Sequence, residues 1–514
     1  MGDYNLYWGD SHTNLHHRHM DELPRILSGA QEMLDFWPVA YYPQEFIERN
    51  GFPYEDWCPQ EQIERDWQAI CDLAAENNEP GTFVIFSGYE WQGHGRFGDH
   101  NVFHLEDHQP LLQNNTLPEL YDELHRQGIR AFAIPHHTAY RVGVRAKRWD
   151  VHDEDLSPFA EIYSCHGCSE SDEEWPGLRT NWSMGPGVSG GTIEDGLDQG
   201  YRLGIICSGD THHGFPGTYT HGLMGCYARE LTREALWEAF AERRVYGASA
   251  DRIALDFRVE GAMMGAEIEM SGPVRCEVEV AGCDALDRIE LLRNNRVVAT
   301  YCHNGTWQPP AGDERIRCKL RIEAGWGPRA KRYGLGGLAR DWDGSIEVPN
   351  GAIVSVERCW QNFGQRVGAV GGSRCEFGFH TGDGHREVVP AEATIFEIEG
   401  KPRDEIHLAI EGKTLALSLN EAMAASQMIY FPEEVEAKIK SKFGLERSEL
   451  PRDDPFYYLS HKVKVHRAIP EAGFSARWNH TDAEPPPGRN FYRVRVYQRN
   501  GSIAWSSPVW VTND

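Results

Sequence analysis

The chain has 514 residues and a formal net charge of −27 at neutral pH. This length exceeds what one hydrophobic core usually supports, so we expect two or three domains. Hydrophobic residues make up 40% and charged residues 25%, which is the balance of an ordinary globular protein rather than a disordered one. The strong negative charge argues against general binding to nucleic acid, because a phosphate backbone is held mainly by Lys and Arg.

The sequence also bears on location and partners. It contains no apolar run of the roughly 18 residues that a membrane span requires. The first residues, MGDYNLYWGDSH, lack the basic and apolar stretches of a secretory signal. The twelve cysteines are scattered, and the CxxC pair Cys165 and Cys168 has no second pair at zinc-site spacing, so we interpret them as reduced thiols. We expect a cytoplasmic protein with a small-molecule substrate and no nucleic-acid or membrane partner, and a homo-oligomer is compatible with the sequence.

Up to about residue 250, short apolar runs alternate with helical stretches, which is the pattern of a parallel β/α architecture. The predicted strands cover residues 5–8, 34–40, 83–88, 102–105, 131–135, 161–164, 203–208 and 223–227. Residues 61–77 and 117–127 show helical periodicity, and a helix over 232–243 begins with Thr232 as its N-cap. We therefore predict a β/α barrel domain over residues 1–250.

After residue 250 the pattern changes to the alternation of antiparallel strands, as in IALDFRVEG and VRCEVEVAG. Turn signals include Asn294-Asn295 and Asn500-Gly501. A helical insertion is predicted around residues 417–448, and residues 325–344, rich in Gly and Arg, are predicted to form a loop. We predict a β-rich, sandwich-like region over residues 251–514, with a role that the sequence leaves open.

Polar residues follow five of the predicted strands, in the segments GDSHTN, SGYEW, IPHHT, YSCHG and SGDTHH, and precede another in GDHNVF. In a parallel β/α barrel, the side chains that carry chemistry lie where strands end. His, Asp and Glu are the ligand set of Zn²⁺, Mn²⁺ or Fe, and carboxylates can bridge two ions. The predicted metal ligands are Asp10, His12, Glu90, His100, His136, Asp210 and His212.

The order GDxH, GYE, DHNVF, PHH and SGDTH over residues 3–250 resembles the PHP (polymerase and histidinol phosphatase) superfamily of metal-dependent phosphoesterases, in particular its DUF3604-type branch. The closing segment NFYRVRVYQRNGSIAWSSPVWV is similar to the end of that branch. The resemblance implies a distorted (β/α)7 barrel with up to three metal ions at its C-terminal rim. It also implies individual roles, with His12 as the first histidine of the opening motif, Glu90 as a bridging carboxylate, His100 and His136 as ligands of a second ion, and Asp210 with His212 as the closing pair.

Two positions depart from the family pattern. The opening motif is usually His-x-His, whereas this chain has Asn14 two residues after His12. Tyr41 and Tyr42 stand where the superfamily usually has an Asp-His pair. We therefore expect one or two divalent ions instead of three. The histidines that could replace the missing ligands are His16, His17 and His19.

The predicted reaction is hydrolysis by a metal-activated water, because a divalent ion lowers the pKa of bound water toward about 7. Asp210 could orient this water. Three residues could protonate the leaving group, and the sequence does not rank them: His212, His166 and Tyr42.

Substrate binding is predicted in neighbouring segments. The basic run TAYRVGVRAKRWD could hold an anionic group through Arg141 and Arg145, or form a solvated loop paired with nearby Asp residues. Tyr41 and His137 are further predicted substrate contacts. Three tryptophans could stack on a ring of the substrate or serve only in packing: Trp91, Trp175 and Trp182.

Three functions follow from these observations. The first is a phosphoesterase that acts on a small anionic substrate. The second keeps the metal but cleaves an amide, ester or glycosidic bond, because the altered site has lost ligands that would hold a third ion. The third is a binding module on a degenerate barrel, which the presence of Asn14 and Tyr42 would explain.

Overall fold

The structure, a computed structural model, describes residues 4–173, 184–304, 312–326, 334, 339–382 and 391–513. The chain divides into two compact units. The first comprises Met1–Gly282, Leu286–His303 and Ala476–Asp514, and the second comprises Cys283–Ala285 and Asn304–Ser475. The predicted domain boundary near residue 250 falls inside the first unit. None of the helices in the described residues is long and apolar enough to cross a membrane.

The first unit begins with short strands and five helices. These elements are β1 (Asn5–Gly9), β2 (Asn14–Leu15), α1 (Leu23–Met33), β3 (Phe36–Pro38), β4 (Ala40–Tyr41), β5 (Gln44–Arg49), β6 (Phe52–Trp57), α2 (Gln60–Glu76), β7 (Val84–Phe86), β8 (Gly88–Trp91), β9 (His100–His104), α3 (Leu117–Gln127), β10 (Ala131–Pro135), β11 (Phe159–Ser164), β12 (Gly167–Cys168), α4 (Ile193–Asp198), β13 (Gly204–Cys207), β14 (Leu223–Ala228), α5 (Arg233–Ala241) and β15 (Val245–Ala248). Each of the eight predicted strands overlaps one of these strands.

Local sequence signals set the bounds of the helices. The Thr116 hydroxyl accepts a hydrogen bond from the Glu119 amide, and the Glu119 carboxylate accepts one from the Thr116 amide, so α3 begins with a capping box. It ends at Gly128, which has a φ of +66°. The predicted N-cap of α5 is confirmed, because the Thr232 side chain accepts a hydrogen bond from the Ala235 amide.

The strand pairing differs from the parallel barrel that the sequence predicts. β1, β3 and β7 pair in parallel, as do β11 and β13. In contrast, β8, β9 and β10 pair antiparallel, and β1 pairs antiparallel with β14. Residues 92–99 alone join β8 to β9, which is too short for the crossover that a parallel pair needs. Within the described residues the ladders form separate sheets and no closed barrel, so the fold is a mixed α/β fold rich in strands.

Six further strands of the first unit belong either to its main sheet or to a separate four-stranded sheet. They are β16 (Ala254–Val259), β17 (Ala262–Met263), β18 (Glu267–Met270), β19 (Val274–Ala281), β20 (Leu286–Arg293) and β21 (Arg296–Cys302), followed by the second unit. Asn294 and Asn295 both have positive φ, at 50° and 61°, and form the predicted hairpin turn between β20 and β21.

The second unit is a pair of sheets around one core. Its elements are β22 (Ile316–Gly325), β23 (Arg340–Glu347), β24 (Ala352–Cys359), β25 (Arg366–Val367), β26 (Arg374–Thr381), β27 (Ala391–Gly400), β28 (Glu405–Ile410), β29 (Lys413–Ser418), α6 (Leu419–Ala424), β30 (Gln427–Phe431), α7 (Glu433–Phe443), α8 (Asp454–Leu459), β31 (His461–Val465), β32 (Ile469–Pro470) and α9 (Glu471–Phe474). The order in one sheet is β24-β27-β22-β31-β30, and in the other β25-β26-β23-β28-β29. Leu320 and Phe396 from the first sheet share a buried core with Trp342 and Phe377 from the second.

Two expectations for this unit have clear outcomes. The predicted helical insertion over residues 417–448 contains α6 and α7. The predicted loop over residues 325–344 is shorter at its end, because β23 already begins at Arg340. Residues 327–333 and 335–338 of that loop lie outside the described residues.

The chain then returns to the first unit with β33 (Ser475–Asp482), β34 (Gly488–Gln498), β35 (Ile503–Ser506) and β36 (Val509–Asn513). β35 pairs with β15, so β34, β35 and β36 continue the sheet that contains β1, whereas β33 pairs with β19 in the four-stranded sheet. Arg493 is fully buried in β34 and forms ion pairs with Glu170 and, at 3.1 Å, with Glu194. Trp505 donates its indole N–H to Glu170 at 2.9 Å. This network joins the closing strands to the loop that follows β12.

We expect Arg493→Met to lower the free energy of unfolding by about 3 kcal/mol, because it leaves the buried Glu170 carboxylate with only the more distant Arg495, at 3.5 Å, among the arginines paired with it in the described structure. Urea unfolding measures this change. The control is Arg489→Met on the same strand, where the arginine is exposed and contacts only the Gly200 carbonyl in the described structure. This control should change stability by less than about 0.5 kcal/mol. Equal effects of both substitutions would contradict the assignment.

Candidate metal centre

His12 lies fully buried at the centre of the site, between β1 and β2. Its Nδ1 atom is 3.1 Å from Glu161 Oε2, and its Nε2 atom is 3.3 Å from Asp210 Oδ1 and 3.5 Å from Glu90 Oε2. Burial lowers the pKa of His12, but the carboxylates, Asp210 foremost, raise it well above its ordinary value. One imidazole is thus surrounded by three buried carboxylates.

Asp10, a predicted ligand, has a different role in the structure. Its Oδ1 atom accepts hydrogen bonds from the amides of His12 at 3.0 Å and Gly209 at 2.9 Å. Its Oδ2 atom accepts from the Thr13 hydroxyl at 2.8 Å and the Gly217 amide at 2.9 Å. Because four donors bind this carboxylate, Asp10 connects the loop after β1 to the loop after β13 by hydrogen bonds. Its oxygens are therefore used in these contacts, and Asp10 is not assigned as a metal ligand.

His136 follows β10 and lies against Glu90, with 3.7 Å between His136 Nε2 and Glu90 Oε1. Neither ring nitrogen of His136 has a hydrogen-bond partner within the described part of the chain, although the side chain is buried. Burial, together with neighbouring His12 and His137, lowers the pKa of His136 to about 4. A neutral buried imidazole with unpartnered nitrogens beside a carboxylate suits a metal ligand.

Further ligand-type side chains complete the site. His137 Nε2 lies 3.4 Å from Asp99 Oδ2, and His166 Nε2 lies 3.3 Å from Asp210 Oδ2. Four groups arise in which all ligand atoms lie within 4.8 Å of one another. They are His12 with Glu90 and His136, Asp99 with His136 and His137, His137 with His166 and Asp210, and His12 with Glu161 and Asp210. The groups share residues, so together they form one continuous centre. It contains enough ligand atoms to bind more than one metal ion.

His100, another predicted ligand, points away from this centre. Its Nδ1 atom lies 3.0 Å from the Gly98 carbonyl, and its Nε2 atom lies 3.1 Å from Lys147 Nζ. Successive side chains of an extended segment point to opposite faces, so Asp99 belongs to a ligand group of the centre while the next residue, His100, does not. Asp99 is a ligand-type residue that the sequence did not predict, and Glu161 is another.

The predicted closing histidine, His212, lies at the edge of the centre. Its Nε2 atom is 3.8 Å from Asp210 Oδ1, and its Nδ1 atom is 2.8 Å from His16 Nε2. The His16 ring also packs on the Tyr42 ring, with 4.6 Å between ring centroids. Asn14 donates its amide to Asp210 Oδ1 at 3.3 Å, so it stands beside the ligand atoms where the family resemblance expects a second histidine.

The other histidines of the LHHRH segment contact different partners. His17 Nδ1 lies 2.9 Å from Asp66 Oδ2, and the Tyr41 hydroxyl donates to the same oxygen at 3.2 Å. His19 Nδ1 accepts a hydrogen bond from the His16 amide at 3.1 Å. His17 and His19 therefore do not supply the missing ligands, and Tyr41, a predicted substrate contact, is occupied by Asp66.

A cavity of about 470 Å³ opens onto this centre. It is lined by His16, Arg18, Tyr42, Gln44, Glu45, Phe46, Glu55, Glu90, Gln92, His137, Arg145, His166, Met184, Asp210 and His212. Asp210, His137 and His166 lie at the cavity surface and also belong to the ligand groups. The cavity thus gives a ligand access to the candidate metal centre.

Two predicted arginines have different places. Arg145 lines the cavity but forms ion pairs with Asp99 and, at 2.8 Å, with Glu55. Arg141 is exposed and is absent from the cavity lining. Arg18, which the sequence interpretation did not select, lines the cavity, is exposed, and forms no ion pair within the described residues.

Of the three predicted stacking tryptophans, Trp91 does not line the cavity. Trp91 is fully buried and donates its indole N–H to the Asn114 carbonyl at 2.8 Å. Trp175 and Trp182 lie outside the described residues. None of the twelve cysteines, all of which lie in the described residues, forms a disulfide, and Cys165 donates its thiol to the Asp210 carbonyl at 2.7 Å.

The charges of the centre fit a divalent ion. Burial raises the pKa of Asp210 to about 7. Burial also opposes ionisation of Glu90, but its contacts with His12 and His136 hold the pKa of this carboxyl well below its ordinary value. Asp99 Oδ1 and Asp210 Oδ2 are buried without a hydrogen-bond partner in the part of the chain described. Buried anionic oxygens and unpartnered imidazole nitrogens at one place are the donor set of a transition-metal ion.

Residues 31–158 match the family model DUF3604, described as a protein of unknown function. This segment contains Glu90, Asp99, His136 and His137 of the centre. It supports the DUF3604 part of the sequence resemblance, and the PHP part stays a proposal.

The similar curated proteins are uncharacterized. One from Chlamydia pneumoniae is 26% identical over 326 residues, which is 58% of this chain and 49% of that protein. One from Chlamydia trachomatis serovar D is 24% identical over 294 residues, which is 51% of this chain and 44% of that protein. The chain therefore spans about half the length of these relatives.

A solved structure from Bacteroides vulgatus, described as a two-domain protein containing a predicted PHP-like metal-dependent phosphoesterase, is 14% identical. The alignment covers 56% of this chain and 79% of that chain, with a TM-score of 0.34. A TM-score of this size does not establish a shared fold.

We expect His136→Gln to reduce the Zn²⁺ or Mn²⁺ retained after reconstitution by at least about tenfold, because the ring supplies a ligand nitrogen. The matched control is His100→Gln, a buried histidine that contacts Lys147 instead, and it should retain the wild-type metal content. Elemental analysis measures the metal, and circular dichroism checks folding. Loss of metal in folded His100→Gln but not in folded His136→Gln would contradict the assignment.

The burial of the Lys147 ammonium group should make the stability of the protein depend on pH. Burial lowers the pKa of Lys147 from 10.5 to about 7 in the folded protein. Between these values the unfolded chain binds a proton that the folded chain does not, so the free energy of unfolding should rise with pH from 7 to 10. Lys147→Met should therefore be more stable than wild type at pH 7, and the difference should shrink by pH 9.5. Urea unfolding at both pH values tests this, and a constant difference would refute it.

Proposed function

We propose that the protein is a metal-dependent hydrolase, and that it acts as a phosphoesterase on a small anionic substrate. The observation that supports this proposal is the set of four overlapping ligand groups beneath an accessible cavity. The residues that would hold one or two divalent ions are His12, Glu90, Asp99, His136, His137, Glu161, His166 and Asp210. A divalent ion bound there supplies Lewis acidity, which activates a water molecule and offsets negative charge that develops at the scissile bond.

Asp210 is placed to orient the attacking water. Its Oδ2 atom is buried without a hydrogen-bond partner within the described residues, and the carboxylate lines the cavity. Its φ of +50° is unusual for a residue with a side chain, and contacts with His12, Asn14 and His166 surround the carboxylate in this position. We therefore assign Asp210 a role in both ion binding and water orientation.

His212 is our choice among the three candidate acids. His166 belongs to one of the ligand groups, so its imidazole would hold an ion, whereas His212 belongs to none of them. The Tyr42 hydroxyl donates its proton in a hydrogen bond to Glu55, so this proton is not directed at a leaving group. Burial lowers the pKa of His212 to about 4, so the ring is neutral at pH 7.

A neutral His212 can release one ring proton only while it takes up another at its second nitrogen. His16 Nε2, at 2.8 Å from His212 Nδ1, is placed to supply that proton. Burial lowers the pKa of His16 to about 3, so this ring is also neutral and would take up a proton from water at Nδ1 as it gives one up at Nε2. The two rings would thus act as a short relay from water at the cavity edge to the leaving group.

Arg18 is our candidate for recognition of the anionic group. It lines the cavity, and its guanidinium donates to the His212 carbonyl at 2.6 Å, which positions it beside the proposed acid. Arg145, by contrast, is already neutralised by Asp99 and Glu55. A guanidinium without a carboxylate partner in the described structure can give charge-assisted hydrogen bonds to a phosphoryl oxygen.

We expect Mn²⁺- or Zn²⁺-loaded protein to hydrolyse p-nitrophenyl phosphate and Glu90→Gln to abolish this activity. Arg18→Ala should raise KM about tenfold, because a hydrogen bond to a charged group is lost. Arg141→Ala, an exposed arginine outside the cavity lining, should leave KM unchanged. Steady-state kinetics with equal metal loading measures these effects. Equal KM values for Arg18→Ala and wild type would remove Arg18 from substrate binding.

A second candidate is hydrolysis of an amide, ester or glycosidic bond at the same centre. It is favoured by Asn14, which takes the place of a ligand, and by Tyr42, which is hydrogen-bonded to Glu55 and Gln92. Inactivity of metal-loaded protein on a broad panel of phosphoesters, with activity on one of these bonds, would favour this candidate. Retention of less than about 0.2 equivalents of metal per chain would contradict both.

A further inference from the structure

The hairpin of β5 and β6 forms one wall of the cavity. Gln44, Glu45 and Phe46 from β5 line the cavity together with Glu55 from β6. These two strands pair only with each other among the described strands. Phe46 and Glu55 are direct partners in the register, so their side chains project from the same face of the hairpin.

Glu55 connects the β5–β6 hairpin to the rest of the site. Its carboxylate accepts a hydrogen bond from the Tyr42 hydroxyl and forms an ion pair with Arg145 at 2.8 Å. Arg145 in turn contacts Asp99 of the metal centre. The position of Phe46 relative to the metal centre is therefore set through its cross-strand neighbour.

Phe46 is 76% exposed although it belongs to the cavity wall. Exposure of one phenylalanine is not unusual by itself. Phe52 shows this on the same hairpin, because it is 70% exposed and is absent from the cavity lining. What distinguishes Phe46 is an exposed aromatic ring at the entrance to a centre of charged ligands. Met184, which is 41% exposed, adds a second apolar side chain to this lining.

Other aromatic side chains near the cavity are already in contact with rings or buried. The Tyr42 ring packs against His16 and His212, with centroid distances of 4.6 Å and 5.2 Å. Trp91 is fully buried. Among the described aromatic residues that line the cavity, Phe46 thus offers the most exposed ring to a ligand.

We propose that Phe46 binds a flat apolar group of the substrate while the metal centre binds its anionic group. The substrate class is then a phosphoester of an aryl alcohol or of a similarly flat apolar alcohol. A small phosphoester without an apolar group would bind more weakly. This inference rests on the proposed hydrolase function for the position of the anionic group. Burial of a ring against Phe46 removes apolar surface of both from water and adds a ring-to-ring contact.

The test compares phenylphosphonate with methylphosphonate, because neither is hydrolysed as an ester and they differ in the flat apolar group. Isothermal titration of Zn²⁺-loaded protein should give a Kd at least about tenfold lower for phenylphosphonate. In Phe46→Ala this preference should fall below about twofold, with the Kd of methylphosphonate unchanged. Phe46→Tyr should keep the preference, and Phe52→Ala should behave as wild type.

Equal binding of the two phosphonates by wild type, binding of neither, or equal loss of preference in Phe46→Ala and Phe52→Ala would overturn the inference. Metal content and circular dichroism confirm that each variant is loaded and folded. The preference is a binding measurement, so it can hold even if p-nitrophenyl phosphate is not hydrolysed. Hydrolysis of that ester without any effect of Phe46 would overturn this inference alone.

Discussion

The contact of His12 with Glu161, Asp210 and Glu90 is the interaction on which the rest of the site depends. Carboxylates buried this close together repel one another and have lost most of their hydration. In the protein alone, protonation of His12 and Asp210 relieves the repulsion, and burial accordingly raises the pKa of Asp210 to about 7. A divalent cation relieves the same repulsion without protons. Metal binding and proton release should therefore be linked at this centre.

The fold brings these groups together through short segments at which strands are interrupted. β1 and β2 are separated by the segment that carries His12, and Asp10 fastens this segment to the loop of Asp210 through backbone amides. Asp210 and His137 both have positive φ, at 50° and 34°. Such backbone conformations cost about 1–3 kcal/mol each and persist where the surrounding contacts hold them, as they often do in functional sites. The geometry of the centre thus depends on the loops more than on regular strand ends.

Much of the site could be predicted from the sequence, because His12, Glu90, His136 and Asp210 all stand beside recognisable strands. Other features depend on tertiary structure. Asp99 and His100 are neighbours in the sequence, and only the face of the strand decides that Asp99 reaches the site. Glu161 lies within a predicted strand and was not predicted as a site residue. It is the one acidic residue in the buried run FAEIYS, and this pattern could have indicated a ligand. The antiparallel pairing of β8 with β9 and the partners of Tyr41 and Arg145 involve contacts that no local pattern encodes.

The central claim is that these side chains form one metal centre beneath the cavity. Anomalous diffraction from crystals grown with Zn²⁺, recorded above and below the zinc absorption edge, tests it most directly. A zinc ion bound at this centre should give an anomalous peak about 2.0–2.2 Å from ligand atoms of His136, Glu90 or Asp210. Full zinc loading with no peak among these residues, or with the peak at His100, would contradict it.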